Sequence, residues 1–311
     1  MSAATPRTIP APTPTPRSRA DRKPNLALWA LTGLSLLTAL LVPLVTGEAS
    51  TRAALLLTIP FAFIHGIRRY GVRQLLTFFV VTFVVSNFFE DLSIITGFPF
   101  GDYHYTGAPK LLEVPIQIGP IYFGLGYLAW LTASALLDNA DSRLGRAHGR
   151  TGTINLFALP ALAAALMTMF DLGSDSISST VSHVWIWEHG GGVFGVPYTN
   201  YLGWWFVTYL FFQIFALILA RPGLNRGPQH TTGLRHGSLA QPALIYTGLG
   251  LASITYFTAA HTTRVTDATG VAWNTAALNE TMMTINIFGL IVVGLLALTK
   301  IARGDTTRTT P

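Results

Sequence analysis

The chain has 311 residues, 50% hydrophobic and only 11% charged, with a mean hydropathy of +0.45, a formal charge of +6 and no cysteine. A soluble domain carries roughly 25% charged residues, so this sequence is too poor in charge to cover a water-facing surface and reads as a membrane protein. Without cysteine, disulfides, thiolate nucleophiles, iron–sulfur clusters and cysteine-ligated zinc are excluded.

Residues 1–25, rich in Pro and Thr and carrying Arg7, Arg17, Arg19, Arg22 and Lys23, predict a disordered cytoplasmic tail. The apolar run 26–45 is longer than a signal-peptide core and is expected to be a retained span. Further runs follow at about 53–67, 74–95, 114–137, 153–170, 201–220, 242–260 and 281–299. The expected fold is therefore all-α: a polytopic bundle of about eight transmembrane helices over 26–300, followed by a short disordered tail at 301–311. The second run contains Pro60 and His65 and is the shortest, but charge counting supports it. With eight spans and both termini inside, every Lys and Arg except Arg52, Lys110 and Arg264 falls on the cytoplasmic side. The basic residues then act as orientation signals of a multi-pass cell-membrane protein, and no nucleic-acid partner is expected.

In this topology most acids, four of the eight histidines and most Trp and Tyr lie toward the outer face. Ser86-Asn87-Phe88-Phe89-Glu90-Asp91 ends the third span about a turn inside its outer end. An ionisable group there faces a cavity or a partner. Neighbours on a helix point about 100° apart, so only one of the two acids looks inward, and Asp91 is the one expected at the headgroups. At the end of the fifth span, Asp171 and Asp175 are spaced i,i+4, which stacks two carboxylates on one helical face and lets the pair hold one proton. Gly173 and Ser174 weaken the helix at this point, and two ordinary acids at the start of a loop are the competing reading. Trp185, Trp187 and the glycine-rich 190–195 segment, with Asn200, Gly203 and Trp204 after it, predict an extended hairpin or re-entrant loop over the bundle mouth.

Several motifs are missing. His189-Gly190-Gly191-Gly192 imitates a lipase oxyanion loop, but no Gly-x-Ser-x-Gly elbow accompanies it. No dinucleotide fingerprint or phosphate loop is present, and no two histidines have di-iron spacing. No cofactor and no metal are expected.

Taken in order, Glu90, then Thr96-Gly97-Phe98-Pro99-Phe100-Gly101-x-Tyr103-x-Tyr105, then Asp171 and Asp175, then Trp187, Gly190-Gly191, Phe194-Gly195-Val196-Pro197, Asn200 and Gly203-Trp204 resemble the carotenoid 1,2-hydratase family of the bisanhydrobacterioruberin-hydratase type. The resemblance runs from about 70 to 215 and more weakly to the end. It departs at Phe170 and Ser176, where the family often has Trp and Pro. It implies a cofactor-independent addition of water to the terminal double bond of an acyclic, membrane-embedded carotenoid, and it leaves room for association with other carotenoid-pathway enzymes.

The residues fit that chemistry independently. Protonating an alkene needs a carboxylic acid kept neutral, and Asp171, Asp175 or Glu90 could serve. Aromatic faces such as Tyr103, Tyr105, Trp185 or Trp187 would stabilise the tertiary cation, Asn200 or a second acid would orient the water, and Trp204 is expected to contact the substrate. A carotenoid cyclase uses the same protonation and ranks second. A proton-coupled transporter or a carotenoid-binding protein ranks third.

Overall fold

The computed structural model describes residues 19–46, 52–221, 237–259 and 261–304. Most of both expected tails, 1–18 and 305–311, lies outside these residues. The helices are α1 (Arg19–Thr46), α2 (Arg52–Tyr70), α3 (Val72–Thr96), α4 (Ile118–Leu136), α5 (Gly149–Leu172), α6 (Tyr198–Leu219), α7 (Gly237–Ala259), α8 (Thr275–Asn286) and α9 (Val292–Ala302). A π-helical turn, Ile287–Ile291, joins α8 to α9, and a second, Ile177–Val181, extends the line of α5. Over the described residues helix thus occupies most of each of the eight apolar runs, although residues 114–117 of the fourth form a short strand and a turn before α4. Among the described residues, five stretches are long and apolar enough to cross a membrane: Leu26–Thr46, Val72–Thr96, Arg146–Val181, Tyr198–Leu219 and Thr275–Ala302. The chain is a helical membrane bundle.

Helix α4 is apolar all round and is buried from Tyr122 through Ala135, which makes it the central post of the bundle. Around it an aromatic core forms: Phe78 lies 4.5 Å from Phe215 and 5.6 Å from Phe123, and Trp130 stacks on Phe212. In a bilayer the surrounding lipid is as apolar as leucine, so helices associate through close packing and buried polar contacts. Gly124 shows the packing, since any Cβ there would run into Thr58 of α2.

A buried polar cluster ties one end of the bundle. Arg69 at the end of α2 donates from Nε and Nη2 to both oxygens of Asp141, at 2.7 and 2.8 Å, in the loop after α4. Tyr70 and Ser134 also donate to Asp141, and Trp130 Nε1 donates to Tyr70 at 3.0 Å. Burial alone would raise the Asp141 carboxyl, but the Arg69 guanidinium and these donors hold it below the usual carboxylate range. Arg69 is therefore a structural ion-pair partner, only 6% exposed, as well as one of the basic residues counted for orientation. Nearby, Lys300 pairs with Asp138 at 2.7 Å.

The connections at the other end carry short strands. They are β1 (Tyr103–Tyr105), β2 (Lys110–Leu111), β3 (Val114–Pro115), β4 (Trp185–Trp187), β5 (Arg264–Thr266) and β6 (Ala272–Asn274). β2 pairs with β3 and β5 with β6, each as a local hairpin, whereas β1 and β4 pair antiparallel across the fold. The segment around Trp185–Trp187 therefore does not fold back on itself as a hairpin of its own. Only the Val193–Val196 bridge closes locally, while β4 takes its ladder partner from the connection after α3.

Candidate active site

The ends of α3, α5 and α6 meet the β1–β4 ribbon around a cavity of about 560 Å³. Its wall includes Glu90, Tyr103, Tyr105, Asp171, Asp175, Trp185, Trp187, Asn200 and Trp204, so all nine candidate residues from the sequence converge on one space. Asp91 does not line it. Its Oδ1 accepts from the Glu113 amide at 3.0 Å, as the 100° offset between helical neighbours requires.

Local chain geometry brings the ribbon inward. Helix α3 stops at Gly97, whose left-handed φ of 78° lets the chain turn back. Ser93 in the last turn then donates to the Gly101 carbonyl at 2.9 Å and accepts from the Phe100 amide at 3.1 Å. Residues in a strand alternate faces, so Tyr103 and Tyr105 point into the cavity opposite Trp187 and Trp185. His104 between them points out and donates to Glu188 at 2.5 Å. Thr199 on α6 fastens the turn by donating to the Phe100 carbonyl at 3.0 Å.

Glu90, 4% exposed, accepts three phenol hydrogen bonds. Tyr103 and Tyr105 donate to Oε2, the latter at 3.0 Å, and Tyr122 donates to Oε1 at 2.7 Å. Burial, then the adjacent Glu90 carboxylate, push the Tyr103 and Tyr105 hydroxyls well above the usual phenol range, so both remain donors. Tyr122 also stacks on Trp204, centroids 4.7 Å apart, which makes an aromatic wall continuous with Glu90.

On the facing side, Asp171 and Asp175 are 3% and 1% exposed. Asn200 Nδ2 donates to Oδ2 of Asp171 at 2.7 Å and to Oδ2 of Asp175 at 2.6 Å. The two carboxylates share one nitrogen, so despite Gly173 and Ser174 they lie on the same side of an almost continuous helix. Oδ1 of Asp175 accepts from the indole nitrogens of Trp185 at 2.9 Å and Trp187 at 3.4 Å. Among the described residues Oδ1 of Asp171 has no protein partner.

Sequence reasoning missed Tyr122, Gln117 and the row Ser174, Ser178 and Ser182, which also line the cavity. The i,i+4 spacing of those serines after Asp171 is visible in the sequence, but nothing there separates it from a polar helix end. The opposite wall is apolar, with Leu55, Ile118, Ile121 and Leu125. Among the described residues no three His, Asp or Glu side chains group closely enough to hold a metal ion.

A family model described as carotenoid biosynthesis protein matches residues 50–266, a span that contains every residue of the cavity named above. The chain belongs to the carotenoid biosynthesis protein family. No curated protein and no solved structure matches it. Family membership gives the chain a role in carotenoid biosynthesis, and the cavity, with its acids on one side and its aliphatic wall on the other, is the candidate site for that role.

Proposed function

We propose that the chain is a cofactor-independent carotenoid hydratase of the 1,2-hydratase type, which adds water to the terminal double bond of an acyclic carotenoid and leaves a tertiary alcohol. The observation that carries this reading is that three buried carboxyl groups line one cavity, two of them on a single amide nitrogen. Two carboxylates on a single amide nitrogen repel one another, and one proton on the pair relieves the repulsion. Both oxygens of Asp175 accept N–H bonds, which suits the ionised partner. Asp171 lines the cavity and, among the described residues, engages only Oδ2, which suits the acid.

In the proposed reaction the Asp171 O–H bond breaks as a C–H bond forms at the less substituted alkene carbon, and the π electrons leave a tertiary cation. Glu90, ionised under three phenol donors, and the faces of Trp185, Trp187 and Trp204 stabilise that cation. Water then forms the C–O bond and passes a proton to the carboxylate pair, which restores the acid. The aliphatic wall of Leu55, Ile118, Ile121 and Leu125 suits the polyene. A cavity of this volume takes the end group, with the rest of the chain lying along the bilayer.

Orientation follows the basic residues. The end holding Arg69, Arg143 and Lys300 would face the cytoplasm, and the cavity end the opposite side of the cell membrane. The test is expression in a host that accumulates an acyclic carotenoid, followed by mass spectrometry of the pigments. A gain of one water per modified end group is expected. An isomer of unchanged mass, as a cyclase would make, or unaltered pigment overturns the proposal.

A further inference from the structure

Beside the main cavity lies a second, much smaller one of about 30 Å³, between α1, α5, α7 and α8. The two share Phe170, Ser174, Ser178 and Tyr256, so Ser174 and Ser178 form part of the partition between them. One water needs roughly 10–15 Å³ of such space and two to four polar partners. The small cavity provides both.

Its polar atoms are arranged to hold a donor-acceptor molecule. Asn286, 5% exposed, donates from Nδ2 to the Gly173 carbonyl at 2.8 Å, which fixes the amide so that Oδ1 is the atom left over. Among the described residues that oxygen has no protein partner. The place is reserved for this amide, because any Cβ on Gly173 would collide with it. Ser174 Oγ donates to the Phe170 carbonyl at 2.8 Å and retains its lone pairs, and Ser178 Oγ has no protein partner among the described residues. A molecule placed there can donate to Asn286, and Ser174 and Ser178 on the partition can bond to it from the side of the main cavity. Water fits that pattern and that size. Ser178 sits in the π-helical turn after Asp175, a distortion common at functional sites, and the exposed Ser182 continues the same row outward along the main cavity.

We infer that this small cavity is a water site, and that Ser178 and Asn286 position the water that attacks the cation formed beside Asp171 and Asp175. The inference rests on the hydratase reading and adds the source of the water. Protonation and water capture thereby become separable. Without held water, the cation returns its proton to the carboxylate pair and the alkene is regenerated.

That separation supplies the test. Membranes containing the full chain are incubated with an acyclic carotenoid in deuterium oxide, and both the hydrated product and the recovered alkene are analysed by mass. For Ser178→Ala, and for Asn286→Leu, which fills the cavity, product should fall about five- to tenfold, the effect of losing one neutral hydrogen bond. Deuterium in the recovered alkene should rise. Ser178→Thr, which keeps the hydroxyl, should restore product. Deuterium uptake above the enzyme-free background reports a folded, protonating site, so a misfolded variant does not imitate the expected result. Product and deuterium uptake both unchanged, or both falling together in the two variants, overturns the inference. A wild-type chain that forms no hydrate fails the hydratase reading itself.

Discussion

Asp171 and Asp175 are joined through a single atom, the Nδ2 of Asn200, which lies 2.7 Å from one carboxylate and 2.6 Å from the other. Their two Oδ2 oxygens can be no farther apart than the sum of those distances. The amide holds the two carboxylates side by side, and in the proposed reaction the three residues act together. Asp171→Asn and Asp175→Asn should each lower hydrate formation by about 10²–10⁴-fold, the usual worth of a positioned acid or base. Asn200→Asp, which adds a third carboxylate in place of the donor, should be at least as damaging. Pigment composition in the carotenoid-accumulating host measures all three.

Glu90 presents the opposite arrangement, one acceptor facing three donors. Glu90→Gln replaces an oxygen with an NH₂ group, sets it against a phenol and removes the anion. Hydrate yield should fall by about 10²-fold, whereas Tyr105→Phe and Tyr122→Phe, which each remove one hydrogen bond to a charged group, should cost about tenfold or somewhat more. An effect of Glu90→Gln no larger than that of a single phenol would contradict the role given to its charge.

The part of this site most directly legible in the sequence is the part carrying charge, while Tyr103, Tyr105, Trp185, Trp187, Asn200 and Trp204 are legible through the motifs around it. A carboxylate in an apolar run stands out because it must find a partner or a cavity, so Glu90, Asp171 and Asp175 were visible, as was the idle position of Asp91. Tyr122 was not, because within an apolar helix its hydroxyl has no signal until Glu90 is seen opposite it. The β1–β4 pairing was equally hidden. It joins Tyr105 to Trp185 across two helices, and three-residue strands show no lasting alternation, so the glycine-rich segment after Trp187 suggested a hairpin of its own. Asn286 belongs to a different helix from the acids, and only the fold brings it to Gly173.

The β1–β4 ribbon separates structure from chemistry residue by residue. Its outer face carries the exposed pairs His104–Glu188 and His189–Asp102, and its inner face carries the tyrosines and tryptophans of the cavity. Exposed ion pairs contribute little, so His104→Ala should leave hydrate yield within about twofold of wild type. Trp187→Ala removes both the indole donor to Asp175 and the ring 4.8 Å from Tyr103, and should abolish most product. Trp185→Phe, which keeps a ring and loses the N–H, should fall between them. Equal losses for His104→Ala and Trp187→Ala would mean that the ribbon acts only as a cap.

At the far end of the bundle, Asp141 and Arg69 test stability without touching the cavity. The pair is buried and bidentate, and removing one partner strands the other charge, so Asp141→Asn should destabilise the fold by about 3–5 kcal/mol. The Asp141 carboxyl sits below its ordinary value in the folded chain. Its contribution is therefore complete above the unfolded value of about 3.9 and is lost as pH falls through the lower folded one. Thermal unfolding in detergent should show a constant gap between wild type and Asp141→Asn from neutral pH down to about 4, and the gap should close below that. Hydrate formation per folded molecule should be unchanged, because no atom of this cluster lines the cavity. A gap that widens on acidification would reverse the sign argued here and remove Asp141 as the acid-sensitive element.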